Sequence, residues 1–214
     1  MIKLIIFDYD GVIVDSFANV YDVYKIIFKK LNKECPKSLE EFRQIYGTSS
    51  SECYGHLNLS EQERTKGNEI FKEEILKKEP PLFQGIAEVI QQLNKNLRLA
   101  LISSNYEGEV KQKLEKKNLI DFFDIIVART NSKERFTKTD AIKKEIENSG
   151  LNQEEILLIG DRNLDFIEGS RAGLKNILLV DYGWGYHLEE MPGYEQKAIV
   201  KSPIEIIEAI KKFD

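Results

Sequence analysis

Short apolar runs rich in β-branched residues recur along the chain at positions 2–7, 97–102, 125–128, 156–159 and 177–180, with a weaker one at 198–200. Runs of this length with almost no polar alternation predict strands buried on both faces. Between them, positions 86–94, 107–118, 139–149, 164–172 and 204–213 carry apolar residues three and four apart, the spacing of amphipathic helices. Strand and helix in alternation imply βαβ units, and so a parallel sheet with helices on both faces.

One interval departs from that rhythm. Between Ser16 and the Pro80-Pro81 pair the pattern is helical throughout. Phe17, Val20, Tyr21, Tyr24, Ile27, Phe28 and Leu31 fall on one helix face, a stripe best assigned to packing. Ser38-Leu39-Glu40-Glu41 and Ser60-Glu61-Gln62-Glu63 both have the form of a capping box, so two further helices are expected to begin there. Gly47 is a plausible stop for the first and the proline pair for the second. The expected fold is therefore α/β: a Rossmann-like core of residues 1–15 and 82–214, with an all-helical domain inserted at 16–81.

Composition narrows the classes of function. The chain has 214 residues, 42% of them hydrophobic, and a formal net charge of −5. That is enough for a packed core and argues against binding along a nucleic-acid backbone. Lysines in 111–117 and at Lys143-Lys144 alternate with acids and read as solvated helix faces. The two cysteines, Cys35 and Cys53, show no metal spacing and no disulfide framework, which suggests reduced thiols and a cytoplasmic location. Asp8 and Asp10 cut short the first apolar run, so it is too short for a signal peptide, and no run approaches membrane-spanning length.

The chemistry gathers at predicted strand ends, where ligands of an open parallel sheet bind. The first strand ends in Asp8-Tyr9-Asp10-Gly11. Two neighbouring carboxylates there are costly unless a cation compensates, and Mg²⁺ favours oxygen ligands. The second ends in Ser103-Ser104-Asn105, suited to an anion before a helix start, although Ser103 could equally cap that helix. The third leads to a basic loop with Arg129, Lys133, Arg135 and Lys138. Thr137 and Asp140 look like the N-cap and third residue of the next helix, and a lysine between them opposes the helix dipole unless an anion attracts both. Lys138 is preferred to Lys133 on that ground. The fourth ends in Gly160-Asp161, with Asp165 four residues on. Together these groups describe a Mg²⁺ and phosphoryl site.

In this order the motifs resemble those of the haloacid dehalogenase superfamily. The stretch Phe7-Asp8-Tyr9-Asp10-Gly11-Val12-Ile13-Val14-Asp15-Ser16 is similar to the first family motif and Leu101-Ile102-Ser103-Ser104-Asn105 to the second. Lys138 corresponds to the third, although Thr139 stands where proline often follows, and Ile159-Gly160-Asp161 through Asp165 resembles the fourth. The helical insertion resembles the family's cap domain as found in phosphoglycolate-phosphatase-like members. Asp181-Tyr182-Gly183-Trp184-Gly185 is similar to the loop those members carry after the fifth strand.

The resemblance implies a Mg²⁺-dependent phosphatase of small phosphorylated metabolites, with neither nucleic-acid nor membrane partners. Asp8 would attack phosphorus and form an aspartyl-phosphate, while Asp10 serves as acid and then base. Asp8, the Asp10 backbone carbonyl and Asp161 would hold the metal, with Asp165 acting through a water or as support. Ser103 and Lys138 would hold the phosphoryl oxygens, aided by Ser104 and Asn105. Asp10 and Asp161 favour phosphoryl transfer over halide displacement, which needs neither acid nor Mg²⁺. A phosphomutase or phosphotransferase is the alternative, and a silent binding module a remote third. His56 and His187 lack spaced partners for metal; Trp184, Arg129, Arg135 and Arg162 remain candidates for packing or substrate contact.

Overall fold

The computed structural model describes residues 1–46, 50–130, 136–184 and 200–213. Contacts divide the chain into two compact units, Met1–Asp15 with Pro81–Asp214, and Ser16–Pro80.

The first unit is built on a five-stranded sheet in the order β3-β2-β1-β4-β5. Its strands are β1 (Leu4–Phe7), β2 (Arg98–Tyr106), β3 (Ile125–Arg129), β4 (Ile156–Gly160) and β5 (Asn176–Leu179), and every pairing is parallel. β1 lies in the middle with all four residues buried, which is why it carries no polar alternation. Because side chains alternate across a strand, the strand residues sort by parity into two cores. Ile5, Phe7, Leu99, Leu101, Leu157 and Ile159 join one; Leu4, Ile6, Ala100, Ile102, Ile156 and Leu158 join the other. Helices α5 (Ile86–Leu93), α6 (Glu107–Lys116) and α9 (Ile206–Ile210) cover the first face. Helix α7 (Lys138–Ser149) and Phe166 of α8 (Asn163–Arg171) pack on the second.

Among the described residues the second unit is four helices: α1 (Phe17–Lys30), α2 (Leu39–Tyr46), α3 (Ser50–His56) and α4 (Glu61–Ile75). Its core is aromatic. The Phe42 ring lies 5.5 Å from Phe17, 5.0 Å from Tyr21, 5.1 Å from Tyr24 and 5.4 Å from Tyr46. Ser60 heads α4 with a full capping box through Glu63. Ser38 forms half of one: its hydroxyl accepts from Glu41 N, while the Glu41 carboxylate takes the Lys37 N–H instead of that of Ser38.

Several sequence expectations are corrected. α3 was not anticipated, being a seven-residue helix too short to show a period. α4 ends at Ile75, five residues before the proline pair credited with stopping it. On α1, Phe17, Val20, Tyr24, Ile27 and Phe28 of the predicted stripe are buried and Val23 joins them, while Tyr21 and the C-cap Leu31 are only half-buried. β2 runs four residues past Ile102, with a break in its register to β3 between Ile102 and Tyr106. The lysines of 111–117 are not all solvated: Lys113 is buried and bonds Glu109, also buried, at 2.6 Å. Of the weak run at 198–200 only Val200 is described, and it bridges Val180 in parallel. The expected helix stop Gly47 lies outside the described residues, as do Lys133, Arg135, Gly185 and His187. No described helix is long and apolar enough to cross a membrane.

Phe42 is fully buried among four aromatic neighbours, so Phe42→Ala should destabilise the helical unit by about 3–5 kcal/mol. Urea denaturation followed by circular dichroism measures this, and an unmoved transition would show the ring cluster to be dispensable.

Candidate active site

Parallel pairing of β1 with β4 places Phe7 opposite Ile159, so the residues that follow each strand emerge side by side. Asp8 N–H still donates to Ile159 O at 2.9 Å, continuing the ladder by one residue. From that edge the Asp8 carboxylate meets those of Asp161 and Asp165, one oxygen from each lying within 4.8 Å of the others, and all three residues are buried. Lys138, also buried, extends between two of them. Its Nζ lies 2.6 Å from Asp8 Oδ2 and donates to Asp165 Oδ1 at 2.7 Å. Thr137 caps α7 by accepting from Asp140 N and bonding its carboxylate, which fixes Lys138 as the first helical residue.

The carboxylates are held in different ways. Both oxygens of Asp165 are engaged, Oδ1 by Lys138 and Oδ2 by the backbone N–H groups of Asp161 and Arg162. Asp161 Oδ2 accepts from Trp184 N at 2.6 Å, and Asp8 Oδ1 accepts from Tyr9 N at 2.7 Å. The remaining oxygens, Asp8 Oδ2 and Asp161 Oδ1, are buried without a hydrogen-bond partner among the described residues. Asp8 Oδ2 meets the Lys138 ammonium as an ion pair but not with the alignment of a hydrogen bond. Buried anionic oxygens without donors are costly, and hard carboxylate oxygens of this kind suit a divalent cation such as Mg²⁺. The donor set fits such an ion.

Titration behaviour follows from the same geometry. Burial raises the Asp161 carboxyl well above its usual range, Arg162 opposing and Asp165 and Asp8 adding to the rise. Burial also disfavours the charge on Asp165, but Lys138 and Arg162 outweigh it and hold this carboxyl below its ordinary value. For Lys138 burial works against the charge, and Asp165 and Asp8 overcome it, so the ammonium is retained.

Glycines leave the space that the carboxylates fill. A Cβ on Gly11, whose φ is +78°, would lie 1.9 Å from Asp161 Oδ2; one on Gly160 would lie 2.4 Å from Asp165 Cβ. At Gly183 it would meet the Gly11 carbonyl at 2.3 Å. The loop at 181–184 is thereby laid directly on the first strand's loop, where Tyr182 OH also donates to Val12 O.

The other candidates are placed as follows. Ser103 is buried, and its Oγ accepts from Asn105 N at 3.2 Å. It does not cap α6, whose N-cap is Tyr106. The Asn105 amide donates to Asp10 Oδ2 at 2.7 Å, joining the second strand end to the first. Ser104 is exposed. Asp10 stands outside the group of three carboxylates. Arg129 Cζ lies 5.9 Å from the Tyr106 ring, and His56 is exposed. Two features escaped the sequence reading: the Trp184 backbone as donor to Asp161, and Asn105 as holder of Asp10. The glycines flanking Trp184 hinted at a close approach; nothing in the sequence pointed to Asn105's partner.

A family model described as "Haloacid dehalogenase-like hydrolase" matches residues 5–179. A phosphoglycolate phosphatase of Aquifex aeolicus is 27% identical over 195 residues, covering 86% of each chain. The pyrophosphatase PpaX of Oceanobacillus iheyensis is 21% identical, covering 81% of each. The solved structure of a haloacid dehalogenase-like hydrolase from Streptococcus pneumoniae superposes with a TM-score of 0.85 at 23% identity, covering 98% of both chains.

Burial lifts the Asp8 carboxyl from 3.8 to about 7, with Lys138 pulling it down and Asp165 pushing it further up. A carboxyl raised by folding stabilises the fold fully below its unfolded pKa, and that contribution is lost as pH rises through the folded value. Without metal, the wild-type chain should lose on the order of 2–3 kcal/mol between about pH 5 and pH 8 relative to Asp8→Asn, which cannot ionise. Calorimetric melting of both proteins at the two pH values checks this. Parallel pH slopes would contradict it.

Proposed function

The chain belongs to the haloacid dehalogenase-like hydrolase family, and we propose that it is a Mg²⁺-dependent phosphatase of small phosphorylated metabolites. The observation that carries the reading is the buried Lys138 ammonium set between Asp8 and Asp165, beside an Asp161 carboxylate whose Oδ1 lacks a hydrogen-bond partner among the described residues. Attack by a carboxylate on a phosphate brings two anions together, and a fixed cation is what such a step needs. Relatives named phosphoglycolate phosphatase and pyrophosphatase support a compact substrate bearing a phosphate monoester or diphosphate.

In this reading Asp8 is the nucleophile, its carboxylate kept in one rotation by the Tyr9 N–H. It attacks phosphorus in line, the leaving oxygen departs with a proton from Asp10, and an aspartyl-phosphate remains. Asp10 then takes a proton from water as that water attacks the phosphorus, which releases phosphate and restores Asp8. The Asn105 amide holds Asp10 in place for both transfers. Lys138 and the Ser103 hydroxyl receive the phosphoryl oxygens. Asp8 and Asp161, with the Asp10 carbonyl, would hold Mg²⁺, and Asp165 supports the site by fixing Lys138. When bound, the ion supplies charge neutralisation and polarisation of the phosphoryl group.

The test is a panel of phosphorylated metabolites assayed with and without Mg²⁺, by release of inorganic phosphate. Activity should require the metal, and Asp8→Asn should abolish it. Asp10→Asn should lower kcat by roughly a hundredfold or more, while a phosphate analogue such as tungstate still binds. Wild-type turnover by Asp8→Asn on any substrate would refute the assignment. Phosphate appearing on an organic acceptor rather than in solution would point to a phosphotransferase.

Asn105→Ala should lower kcat more than it raises KM, since it loosens Asp10 and leaves Lys138 in place. A rise in KM alone would assign Asn105 to substrate binding instead.

A further inference from the structure

The mechanism above gives no task to Arg162, although it lies against the carboxylate proposed as a metal ligand. Its Nε is 3.8 Å from Asp161 Oδ1, the oxygen without a hydrogen-bond partner among the described residues. Its guanidinium carbon lies 5.2 Å from the centre of the Trp184 ring, within the range of a cation–π contact. Trp184 in turn donates its backbone N–H to the other oxygen of the same carboxylate, and Gly183 before it is packed on Gly11 and Asp161 with no room for a side chain. Two residues that touch one another therefore address the two oxygens of Asp161.

We propose that Arg162 is a resident competitor for the metal at Asp161, held between that carboxylate and the Trp184 ring and displaced when the ion enters. The inference rests on the metal reading of the site. A divalent ion and a guanidinium cannot both occupy the neighbourhood of Asp161 Oδ1 without strong repulsion. The indole face braces the guanidinium beside the carboxylate while no metal is bound. Arg162 thus lowers the affinity of the site for Mg²⁺ and lessens the electrostatic load of the buried acids when no metal is bound.

Trp184 is the only tryptophan of the chain, so tryptophan emission reports on the surroundings of this one ring. Mg²⁺ is titrated into the metal-free full-length protein, followed in parallel by calorimetry and by tryptophan fluorescence, for the wild type, Arg162→Gln, Arg162→Lys and Asp161→Asn. Arg162→Gln is expected to bind Mg²⁺ about tenfold more tightly, the effect of removing one nearby charge even when heavily screened. Arg162→Lys keeps the charge and should stay within about threefold of the wild type. Wild-type emission should change with the calorimetric midpoint, a readout that requires no variant and so survives any failure of Arg162→Gln to fold. Unchanged or weaker Mg²⁺ binding by folded Arg162→Gln, or wild-type emission that stays flat through saturation, would overturn the inference. Asp161→Asn keeps the two readings apart. If it loses Mg²⁺ while Arg162→Gln matches the wild type, only the competitor role fails. If the wild type binds no Mg²⁺, or Asp161→Asn binds it normally, the metal site fails and the competitor role with it.

Discussion

The ammonium of Lys138, buried between Asp8 and Asp165, is the interaction on which the site depends. Three carboxylates gather beyond the ends of β1 and β4, two strands without a polar residue, and two basic groups, Lys138 and Arg162, stand against them. Burying an ion pair gains little by itself, but removing one partner leaves an uncompensated charge and costs several kcal/mol. The cluster is therefore poor as a device for stability and makes sense as one for chemistry. Its remaining electrostatic deficit is concentrated on Asp8 and Asp161, the two carboxyls that burial raises.

The sheet order makes that concentration possible. β1 lies between β2 and β4, so one strand end is flanked by two others, and each contributes one part. β4 brings Asp161 and, through the first turn of α8, Asp165. β2 brings Ser103 and the Asn105 amide that holds Asp10. Lys138 comes from the start of α7, where its charge opposes the helix dipole and is offset by the carboxylates it meets. Gly11, Gly160 and Gly183 are part of the same construction, because each stands where a Cβ would strike a carboxylate or the backbone beside it.

Much of this was legible in the sequence, for identifiable reasons. The strands buried on both faces announce themselves because no polar residue interrupts Leu4–Phe7 or Ile156–Ile159. Lys138 was legible through Thr137 and Asp140, since a cap is a local pattern. What escaped was non-local or too short. α3 has too few residues to display a period, and the burial of Val23 beside the predicted stripe of α1 depends on what the helix packs against rather than on the helix alone. The burial of Lys113 with Glu109 was missed because an i,i+4 pair reads the same whether water covers it or protein does. Asn105 and Asp10 are 95 residues apart, and no local rule relates them.

The difference between Asp161 and Asp165 shows why type and spacing alone could not assign roles. From the sequence they are two acids four apart on the same turn. In the structure Asp165 has donors on both oxygens, and its lowered pKa follows from them. Asp161 has a donor on one oxygen only, and burial, with Asp165 and Asp8 adding to it, raises its pKa. A carboxylate already satisfied gains little from a cation, whereas one left half-satisfied in an apolar setting gains a great deal. On that argument Asp161 has the greater capacity to bind an ion, while Asp165 contributes by keeping Lys138 charged and in place. The difference in surroundings between two chemically identical groups is set by where the backbone N–H groups of Asp161, Arg162 and Trp184 point.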